Sequence, residues 1–368
     1  MSKTLLIGSC EPFSGKSALV LGIAKYLKTF NKSVRYGKPL ATSLEISSDK
    51  DHYLPLIDDD VRFVGSTLGF STDQLIPSVH LLSPDTAQKR LLEQRLEPGK
   101  AFEDLLKTLD EPFDGLNILE AAGNLNEGLL YGLSLVQIAK KLNLQVLLVH
   151  LWQNSCSMDH LLAAKEQLGD NLLGVVLNAV TPSDVEDIKS NIVPSLASLG
   201  FNLYGVMPRS PLLRSVTVEE LTRRLDARVI CCSDNLELMV ETLSIGAMNV
   251  NSAMEFFRKR RNMAVVTGAD RTEIQLAALE ASTQCLILTG AGEPLPQLIS
   301  RAEELEVPLL KVETDTLSTV EVIEQAFGHV RLHEDVKANY AFRLVEEHCD
   351  LNLLLENIGI NIKSKDNC

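Results

Sequence analysis

The sequence predicts an α/β fold in which a mostly parallel sheet carries helices on both faces. Short apolar runs alternate with helical patterns along the first 210 residues, which is typical of doubly wound layers. The runs at 144–152 and 173–177 are apolar almost throughout, as strands buried on both faces require. Glycine and polar residues follow several runs directly, and such folds bind ligands beyond the carboxyl ends of their strands.

The elements of this first part follow from hydrophobic periodicity. Apolar residues recur at helical spacing from 17 to 27, and 61–68 has the pattern of a second helix. The predicted strands span residues 4–7, 33–36, 116–121, 144–152, 173–177 and 202–207.

A second α/β alternation begins after Pro211 and indicates a further domain. Its predicted strands span 228–232, 263–267, 285–289 and 309–312, and its predicted helices span 216–225, 273–281 and 295–305. Helical periodicity returns from 332 to 355. We therefore expect three parts: a domain at 1–212, a smaller α/β domain at 213–325, and a C-terminal helical extension and tail at 326–368.

Length and charge bound the class of protein. A chain of 368 residues exceeds what one hydrophobic core supports, so at least two domains are expected. Hydrophobic residues make up 45% and charged residues 23%, as in ordinary globular proteins. The formal net charge of −14 repels phosphate backbones, so nucleic acid is not an expected partner. Solubility is the simpler explanation of that charge.

Cysteine and histidine usage points to a reducing compartment. The seven cysteines are scattered, and neither they nor the seven histidines have metal-ligand spacing. The N-terminus is polar again by Glu11, too early for a signal sequence, and no apolar run reaches the roughly 20 residues of a membrane span. We expect a cytoplasmic protein with no membrane contact.

Residues 8–17 have the context of a phosphate-binding loop, because they follow a predicted strand and open a helix. Gly15 allows close backbone approach, Lys16 supplies charge to the phosphates, and the Ser17 hydroxyl suits Mg²⁺. We expect Lys16 to be exposed in the empty site. Six residues separate Gly8 from Gly15, where the standard pattern has four, so the loop is expected to be wider. The alternative is a plain helix start, which the helix dipole makes unfavourable for a lysine.

Carboxylates at two positions are candidates for a metal shell. Glu120 ends a buried strand, where a charge is costly unless it is paired or metal-bound. The alternative is a helix-capping role. Asp58, Asp59 and Asp60 precede a helix, and one of them is expected to cap it. We favour Asp60 as a second metal ligand.

Two further strand ends carry polar side chains. Lys38 is expected to reach the phosphates or an acidic substrate, or else to be a solvated strand-end lysine. Asn178 is expected to pair with an adenine edge, or else to cap a turn.

Read together, the segments GSCEPFSGKS, YGKPL, LEAAGN, VVLNAVTP and YGVMP resemble the dethiobiotin synthetase-like P-loop ATPases. The resemblance implies a P-loop NTPase-type sheet that binds ATP and Mg²⁺. It assigns Lys16 and Ser17 to phosphate and Mg²⁺, Glu120 and Asp60 to Mg²⁺, Lys38 to substrate and phosphate, and Asn178 to adenine. The groups that would hold the synthetase's diamino acid are not identifiable.

The segment Asp270-Arg271-Thr272 resembles the start of a DRTGG domain, although Glu273 and Ile274 replace its two glycines. Thr272 is expected to cap the following helix. Gly290 and Gly292 form a second strand-end loop, which favours either a small-ligand cleft or a packing and dimerisation surface.

A synthetase-like ATPase followed by a DRTGG domain resembles the part of long bacterial phosphate acetyltransferases that precedes their catalytic domain. The chain ends where that domain would begin, so acetyl transfer is not expected. The resemblance implies a regulatory protein that binds ATP and Mg²⁺ and has a sensing or dimerising second domain. We also expect a small-molecule effector at that domain and a homo-oligomer.

Two other functions are left open by the sequence. The alternative enzyme is an ATP-dependent ligase that phosphorylates a carboxylate or carbamate, with Lys16 and Lys38 as catalytic residues. The third possibility is a scaffold in which nucleotide only stabilises the fold. A cationic or hydrogen-bonding substrate pocket beside Lys38 would favour the ligase.

Overall fold

The computed structural model describes residues 3–44, 55–246, 250–329 and 331–362. It divides the chain into two compact units, one formed by residues 1–209 and 331–368 and the other by 210–330. The division lies close to the boundary expected near 212. Residues 331–362, which were expected to form part of a separate extension, belong instead to the first unit.

Sixteen strands are present in the described residues. Those of the first unit are β1 (Lys3–Ser9), β2 (Ser33–Gly37), β3 (Leu40–Ala41), β4 (Leu75–Ile76), β5 (His80–Leu81), β6 (Gly115–Glu120), β7 (Gln145–Leu151), β8 (Leu172–Val180) and β9 (Leu203–Pro208). Those of the second unit are β10 (Val216–Thr217), β11 (Arg228–Cys231), β12 (Met239–Val240), β13 (Thr242–Ile245), β14 (Met263–Gly268), β15 (Thr283–Thr289) and β16 (Leu309–Lys311).

The α-helices of the described residues fall into three groups along the chain. The first group is α1 (Lys16–Thr29), α2 (Asp59–Leu68), α3 (Pro84–Leu92), α4 (Lys100–Asp110), α5 (Leu135–Leu142), α6 (Met158–Leu168), α7 (Val185–Asp187) and α8 (Val193–Ser198). The second unit contains α9 (Pro211–Arg214), α10 (Val218–Arg224), α11 (Val250–Arg258), α12 (Thr272–Leu279), α13 (Pro296–Glu304) and α14 (Thr316–Ala326). The first unit ends with α15 (Asp335–His348) and α16 (Leu351–Asn357).

The first unit is built on a seven-stranded sheet in the order β4-β2-β6-β1-β7-β8-β9, and every neighbouring pair is parallel. Leu6 of β1 lies in the apolar cluster that includes residues of α4, α5 and α6. Its neighbours Leu5 and Ile7 are also fully buried, so both faces of this central strand are covered. The predicted α/β fold with a mostly parallel sheet is confirmed.

The C-terminal helices complete this unit. Helix α15 packs on α1, where Gly22 faces the side chain of Val345. The backbone of Cys349 forms an isolated antiparallel β-bridge with Gly205 of β9. Asn357 of α16 donates a hydrogen bond of 2.7 Å to the Tyr204 hydroxyl. The helix that carries the phosphate loop is therefore supported by the last segment of the chain.

The second unit has a five-stranded sheet in the order β11-β16-β15-β14-β13, parallel except for the β11–β16 pair. The predicted strands at 228–232, 263–267, 285–289 and 309–312 coincide with β11, β14, β15 and β16 within two residues at each end. The prediction that Thr272 caps the helix after β14 is wrong. Thr272 is the first helical residue of α12, and Arg271 occupies the N-cap position. None of the described helices combines the length and apolar character that crossing a bilayer requires.

Candidate functional site

The phosphate loop lies between the carboxyl end of β1 and the start of α1, as the sequence predicts. Gly15 precedes the helix with φ of +97°, a left-handed conformation that favours glycine. A Cβ atom at this position would lie 2.5 Å from Nδ2 of Asn178. Both restrictions make Gly15 the residue that this turn requires.

Lys16 is buried, contrary to the expectation that it is exposed, and its side chain folds back on the loop. It is 7% exposed. Its ammonium donates hydrogen bonds of 2.9 Å to Ser9 Oγ and 2.7 Å to the Gly123 carbonyl. Burial lowers the pKa of Lys16, although nearby carboxylates, Glu120 first among them, act in the opposite direction. An incoming phosphate would have to replace these two hydrogen bonds.

Glu120 lies beneath the loop, where two hydroxyl groups hold its carboxylate. Ser17 donates a hydrogen bond of 3.2 Å to Oε1, and Tyr36 of β2 donates one of 2.6 Å to Oε2. The residue is 2% exposed, and burial raises the pKa of its carboxyl group, with Lys38 and Lys16 acting against that rise. The structure therefore brings Ser17 and Glu120 together at the start of α1.

Lys38 lies at the centre of a buried cluster of carboxylates. Its ammonium is 2.6 Å from Asp60 Oδ2, 3.3 Å from Asp58 Oδ1 and 3.7 Å from Glu120 Oε1. Burial acts to lower the pKa of Lys38, but these three carboxylates outweigh it and hold the pKa above its ordinary value. Lys38 is thus an ion-paired interior residue and not a solvated strand-end lysine.

The three aspartates before α2 have separate roles. Asp58 is the N-cap, because its side chain accepts a hydrogen bond of 2.9 Å from the Asp60 backbone N–H. It also accepts a bond of 2.7 Å from the backbone N–H of Thr42. Asp60 instead faces Lys38, and the hydroxyl of Ser43 pairs with Asp59 at 2.5 Å. The capping role that the sequence left open belongs to Asp58.

Two residues of the returning C-terminal segment join this cluster, and the sequence analysis missed both. Arg331 Nη1 lies 3.6 Å from Asp60 Oδ2, and its Nη2 donates a bond of 3.2 Å to Thr42 Oγ1. His333 Nε2 lies 3.3 Å from Asp60 Oδ1. Burial acts to raise the pKa of Asp60, but His333, Lys38 and Arg331 outweigh it and hold that pKa well below its usual range. No local motif marks these residues, since they are some 270 positions from Asp60.

Asn178 lies against the phosphate loop from the carboxyl end of β8. Its Nδ2 donates a hydrogen bond of 2.7 Å to the Ser14 carbonyl, and its Oδ1 accepts one from the Ala179 backbone N–H. In this arrangement the amide supports the turn before Gly15. Its expected contact with adenine stays a prediction.

The oxygen atoms of Ser17, Glu120 and Asp60 suit Mg²⁺, which prefers hard oxygen ligands. One ammonium, that of Lys38, reaches both carboxylates, so the two groups face a common centre. Asp60 Oδ1 is buried and receives no well-directed hydrogen bond from the described residues. Its nearest described partner is His333 Nε2 at 3.3 Å, and with that single ion-pair contact the donor set fits a divalent cation.

The second unit also has glycine-bearing loops at one edge of its sheet. Arg271 Nη1 donates a hydrogen bond of 2.5 Å to the Gly246 carbonyl at the end of β13. Lys311 of β16 is 2% exposed, and its ammonium donates to the carbonyls of Gly290 and Val312. Two cationic side chains thus hold backbone carbonyls that directly follow β13, β15 and β16.

Comparison with protein families gives two matches. The family described as an AAA domain matches residues 3–242, and the DRTGG domain matches residues 220–326. Both agree with the P-loop and DRTGG domains recognised from the sequence.

The curated relatives are named phosphate acetyltransferase. Those of Nitratidesulfovibrio vulgaris and Synechocystis are 25% and 23% identical over alignments of 389 and 381 positions, gaps included, which cover 99% of this chain and 53% of each relative. The protein of Deinococcus radiodurans is 26% identical over 343 residues, 86% of this chain and 46% of the relative. The chain therefore spans about half the length of the curated relatives it matches.

Solved structures offer only distant likenesses. The CBS and DRTGG domains of Clostridium perfringens pyrophosphatase, complexed with the activator diadenosine tetraphosphate, are 15% identical with a TM-score of 0.29, covering 42% of this chain and 74% of that one. The septum site-determining protein MinD of Pyrococcus horikoshii, complexed with Mg-ADP, is 13% identical with a TM-score of 0.36, covering 58% and 84%. Such TM-scores support no functional inference.

Proposed function

The chain belongs to the AAA domain family, and we propose that it is a regulatory protein that binds ATP with Mg²⁺ in its first unit. The observation that carries this proposal is the position of the phosphate loop directly above a buried carboxylate cluster. Ser17 of α1 contacts Glu120, and Glu120 lies within 3.7 Å of the ammonium that pairs with Asp60. An anion site and a cation site are thus adjacent.

Each group of the loop has a defined part in binding. The N-terminus of α1 and the loop backbone N–H groups attract phosphate oxygens. Lys16 exchanges its hydrogen bonds to Ser9 and the Gly123 carbonyl for bonds to the terminal phosphates. Mg²⁺, when bound, would neutralise phosphate charge, and Ser17, Glu120 and Asp60 are the residues that would hold it. Lys38 stays paired with Asp58 at the edge of the site.

The regulatory part of the proposal rests on Arg331. This residue is the first of the segment that returns to the first unit, after the second unit ends at residue 330. Its guanidinium lies 3.6 Å from Asp60 and 4.0 Å from Asp58. A Mg²⁺ ion at Asp60 competes electrostatically with Arg331 and His333. Binding of Mg²⁺ therefore alters the contact between Asp60 and Arg331, the residue that directly follows the second unit in the chain.

The second unit is proposed to sense a small molecule or to mediate self-association. Its DRTGG match and the loops held by Arg271 and Lys311 support a small-ligand role. We further propose a homo-oligomer in the cytoplasm. The scattered free thiols support a reducing compartment.

Calorimetric titration of the full chain with ATP, GTP and ADP, each with and without Mg²⁺, tests the proposal. ATP is expected to bind, and Mg²⁺ is expected to strengthen that binding because Asp60 and Glu120 face the phosphate loop. The preference between ATP and GTP tests the Asn178 contact separately. Equal binding of ATP with and without Mg²⁺, or no binding of any nucleotide, contradicts the proposal.

One observation favours the alternative, an ATP-dependent ligase that phosphorylates a carboxylate or carbamate. Arg331 and the Thr42 hydroxyl lie beside Lys38, and these are groups that bind an anionic substrate. The test measures the rate at which the protein releases ADP from ATP in the presence of Mg²⁺. The candidate substrates are a panel of small carboxylates, and diamines mixed with bicarbonate so that carbamates form. Release that depends on one of these substrates supports the ligase, whereas release that none of them stimulates supports the regulatory protein.

A further inference from the structure

A second polar cluster lies at the outer end of the phosphate loop, apart from the residues assigned to Mg²⁺. We call it the loop-end cluster, and its members are Cys10, Glu11, His150 and His160. Cys10 and Glu11 follow β1, His150 lies near the end of the adjacent strand β7, and His160 lies in the first turn of α6. Sequence spacing did not reveal it, because about 140 residues separate its halves.

The carboxylate of Glu11 joins the two imidazole rings. Its Oε1 lies 3.1 Å from His150 Nδ1 and 3.0 Å from His160 Nδ1. Its Oε2 accepts a hydrogen bond of 3.4 Å from the Leu151 backbone N–H, which helps to fix the carboxylate. The thiol of Cys10 completes the group, since one ligand atom from each of Cys10, Glu11 and His150 lies within 4.8 Å of the others.

The hydrogen bonds around His150 leave its Nδ1 atom facing Glu11. The Ser157 hydroxyl donates to the Asn154 carbonyl at 2.7 Å, and its oxygen lies 3.1 Å from His150 Nε2. In the neutral tautomer that donates from Nε2 to this oxygen, the Nδ1 atom carries a lone pair. That lone pair then faces the oxygen of Glu11, which is also an acceptor.

Burial makes this juxtaposition costly unless a positive charge lies between the two acceptors. His150 is 0% exposed, and its Nδ1 has no well-directed hydrogen bond among the described residues. The other neutral tautomer relieves this cost by donating from Nδ1 to Glu11, and a metal ion relieves it in the tautomer with the Nδ1 lone pair. The thiol nearby favours the metal, because Cys10 places a third metal-ligating atom within 4.8 Å of those of Glu11 and His150.

We propose that the loop-end cluster binds one Zn²⁺ ion. Thiolate, imidazole and carboxylate are the ligands that Zn²⁺ takes in a four-coordinate site. With Zn–ligand distances of about 2.0–2.3 Å, neighbouring ligand atoms lie roughly 3.3–3.8 Å apart. The distance between Glu11 and His150 is already close to this, so the Cys10 sulfur and the ring of His160, which contacts Glu11 but lies outside the group of three, are the ligands that must approach. The Ser157 hydroxyl lies against Nε2 of His150, the nitrogen that is not the proposed ligand. A hydrogen-bonding group at that place commonly orients a zinc-bound histidine.

The charges of the site balance. Burial raises the pKa of the Cys10 thiol to about 12, so the group is protonated at neutral pH without metal. Binding of Zn²⁺ forms the Zn–S bond and releases that thiol proton to solvent. The thiolate and the Glu11 carboxylate then neutralise the two positive charges of the ion. The exposed ring of His160, with its side chain 64% accessible, provides the route of entry.

Such an ion would fix the first half of the phosphate loop, since two consecutive loop residues would be its ligands. The proposal is independent of nucleotide binding, because none of the cluster residues is assigned to ATP or Mg²⁺. A failure of one assignment therefore leaves the other intact.

The test is Zn²⁺ titration of the metal-stripped full chain, without nucleotide, in competition with a chromophoric chelator. Wild type is compared with Cys10→Ser and His160→Ala, which each remove one proposed ligand, and with Cys156→Ser as a matched control. Cys156 is an exposed free cysteine outside the cluster. One Zn²⁺ per chain is expected, with at least tenfold weaker binding in both cluster variants and unchanged binding in the control. Co²⁺ is expected to give a sulfur charge-transfer band that only Cys10→Ser abolishes.

Less than a tenfold loss in Cys10→Ser relative to Cys156→Ser overturns the proposal, as does the absence of Zn²⁺ binding to wild type. Either result would leave the loop-end cluster as a hydrogen-bonded group without metal. Circular dichroism of each variant checks that the fold is retained.

Discussion

Single residues of the cluster around Lys38 depend on one another for their charge state. Asp60 keeps a depressed pKa because His333, Lys38 and Arg331 outweigh the effect of burial. Glu120, with its two hydroxyl donors, has a raised pKa because burial dominates. The two carboxylates share one ammonium, so a change at either is felt by the other. Such a site responds strongly to the arrival of a divalent cation.

The low pKa of Asp60 predicts a specific dependence of stability on pH. The unfolded pKa of aspartate is about 3.9, and the folded value lies below it. The stabilisation is therefore present above about pH 4–5 and is lost as the pH falls through the folded pKa. Asp60→Asn is expected to lower the free energy of unfolding at pH 7 by about 1.5–3 kcal/mol, because charged hydrogen bonds are lost.

The difference in free energy of unfolding between wild type and Asp60→Asn is expected to narrow progressively as the pH falls below about 4, as urea titrations at several pH values will measure. Asp104→Asn, at an exposed pair with Lys107, is the control and should change little at any pH. A gap that is constant from pH 7 to pH 3 would contradict the assigned ion pairs.

The sequence predicted some of these residues and not others. Lys38 and Glu120 were found because each ends or follows a predicted strand, and parallel strands bring their carboxyl ends to one edge. Asp60 was found because it directly precedes a predicted helix. Tyr36 was treated as part of a strand, since alternation along a short strand does not say which hydroxyl meets a carboxylate. Arg331 was missed because only the tertiary fold returns it to that edge.

Among the elements, α1 and α15 form the contact that joins the two ends of the first unit. Gly22 lies in the middle of α1, where alanine would ordinarily stabilise a helix by up to about 1 kcal/mol. Here a Cβ atom would lie 2.5 Å from Cγ1 of Val345 on α15. Close packing, and not helix propensity, accounts for glycine at this position.

Gly22→Ala is therefore expected to destabilise the protein by about 1–3 kcal/mol, the usual cost of overpacking. The double variant Gly22→Ala with Val345→Ala is expected to recover part of that loss, because the added methyl group then has space. Thermal and urea unfolding measure both, and a non-additive double-mutant cycle is the expected signature. Gly22→Ala that is neutral or stabilising would show that α15 does not pack on α1 in this way.

The elements themselves were largely predictable where apolar runs are long. The central strands of the first sheet follow continuous hydrophobic runs, so their positions came from burial alone. The two-residue pair β3–β5 was not predicted, since two residues carry no periodicity. The structure groups residues 331–362 with the first unit and not with the separate extension expected at 326–368, because helical periodicity shows that a face is buried but not against which partner.

At the scale of the whole molecule, the chain leaves the first unit near residue 209 and returns at 331. The DRTGG-matching region is thus an insertion between a P-loop unit and two helices that support it. Truncation after Pro211 would remove α15 and α16 together with the second unit. Coupling between the units must therefore be tested in the full chain.

Arg331→Ala is expected to uncouple the units while strengthening Mg²⁺-dependent ATP binding, because it removes a cation that competes for Asp60. In wild type, ATP with Mg²⁺ is expected to shift the self-association constant by roughly 5–150-fold, the range of typical allosteric couplings. Analytical ultracentrifugation with and without nucleotide measures that shift. Arg343→Ala, at an exposed position of α15, is the control. A full shift retained in Arg331→Ala would assign the coupling to other residues.

The most direct test of the central claim, that the loop before α1 binds ATP with Mg²⁺, is the ATP affinity of Lys16→Ala measured calorimetrically in saturating Mg²⁺. Loss of a charged hydrogen bond to phosphate predicts roughly 10–150-fold weaker binding than wild type. Lys107→Ala, at an exposed lysine, should bind as wild type does. Because Lys16 is buried, thermal unfolding of the variant is measured alongside, and Ser17→Ala, expected to lose Mg²⁺ dependence, serves if Lys16→Ala does not fold. ATP binding to folded Lys16→Ala as tight as to wild type would contradict the account.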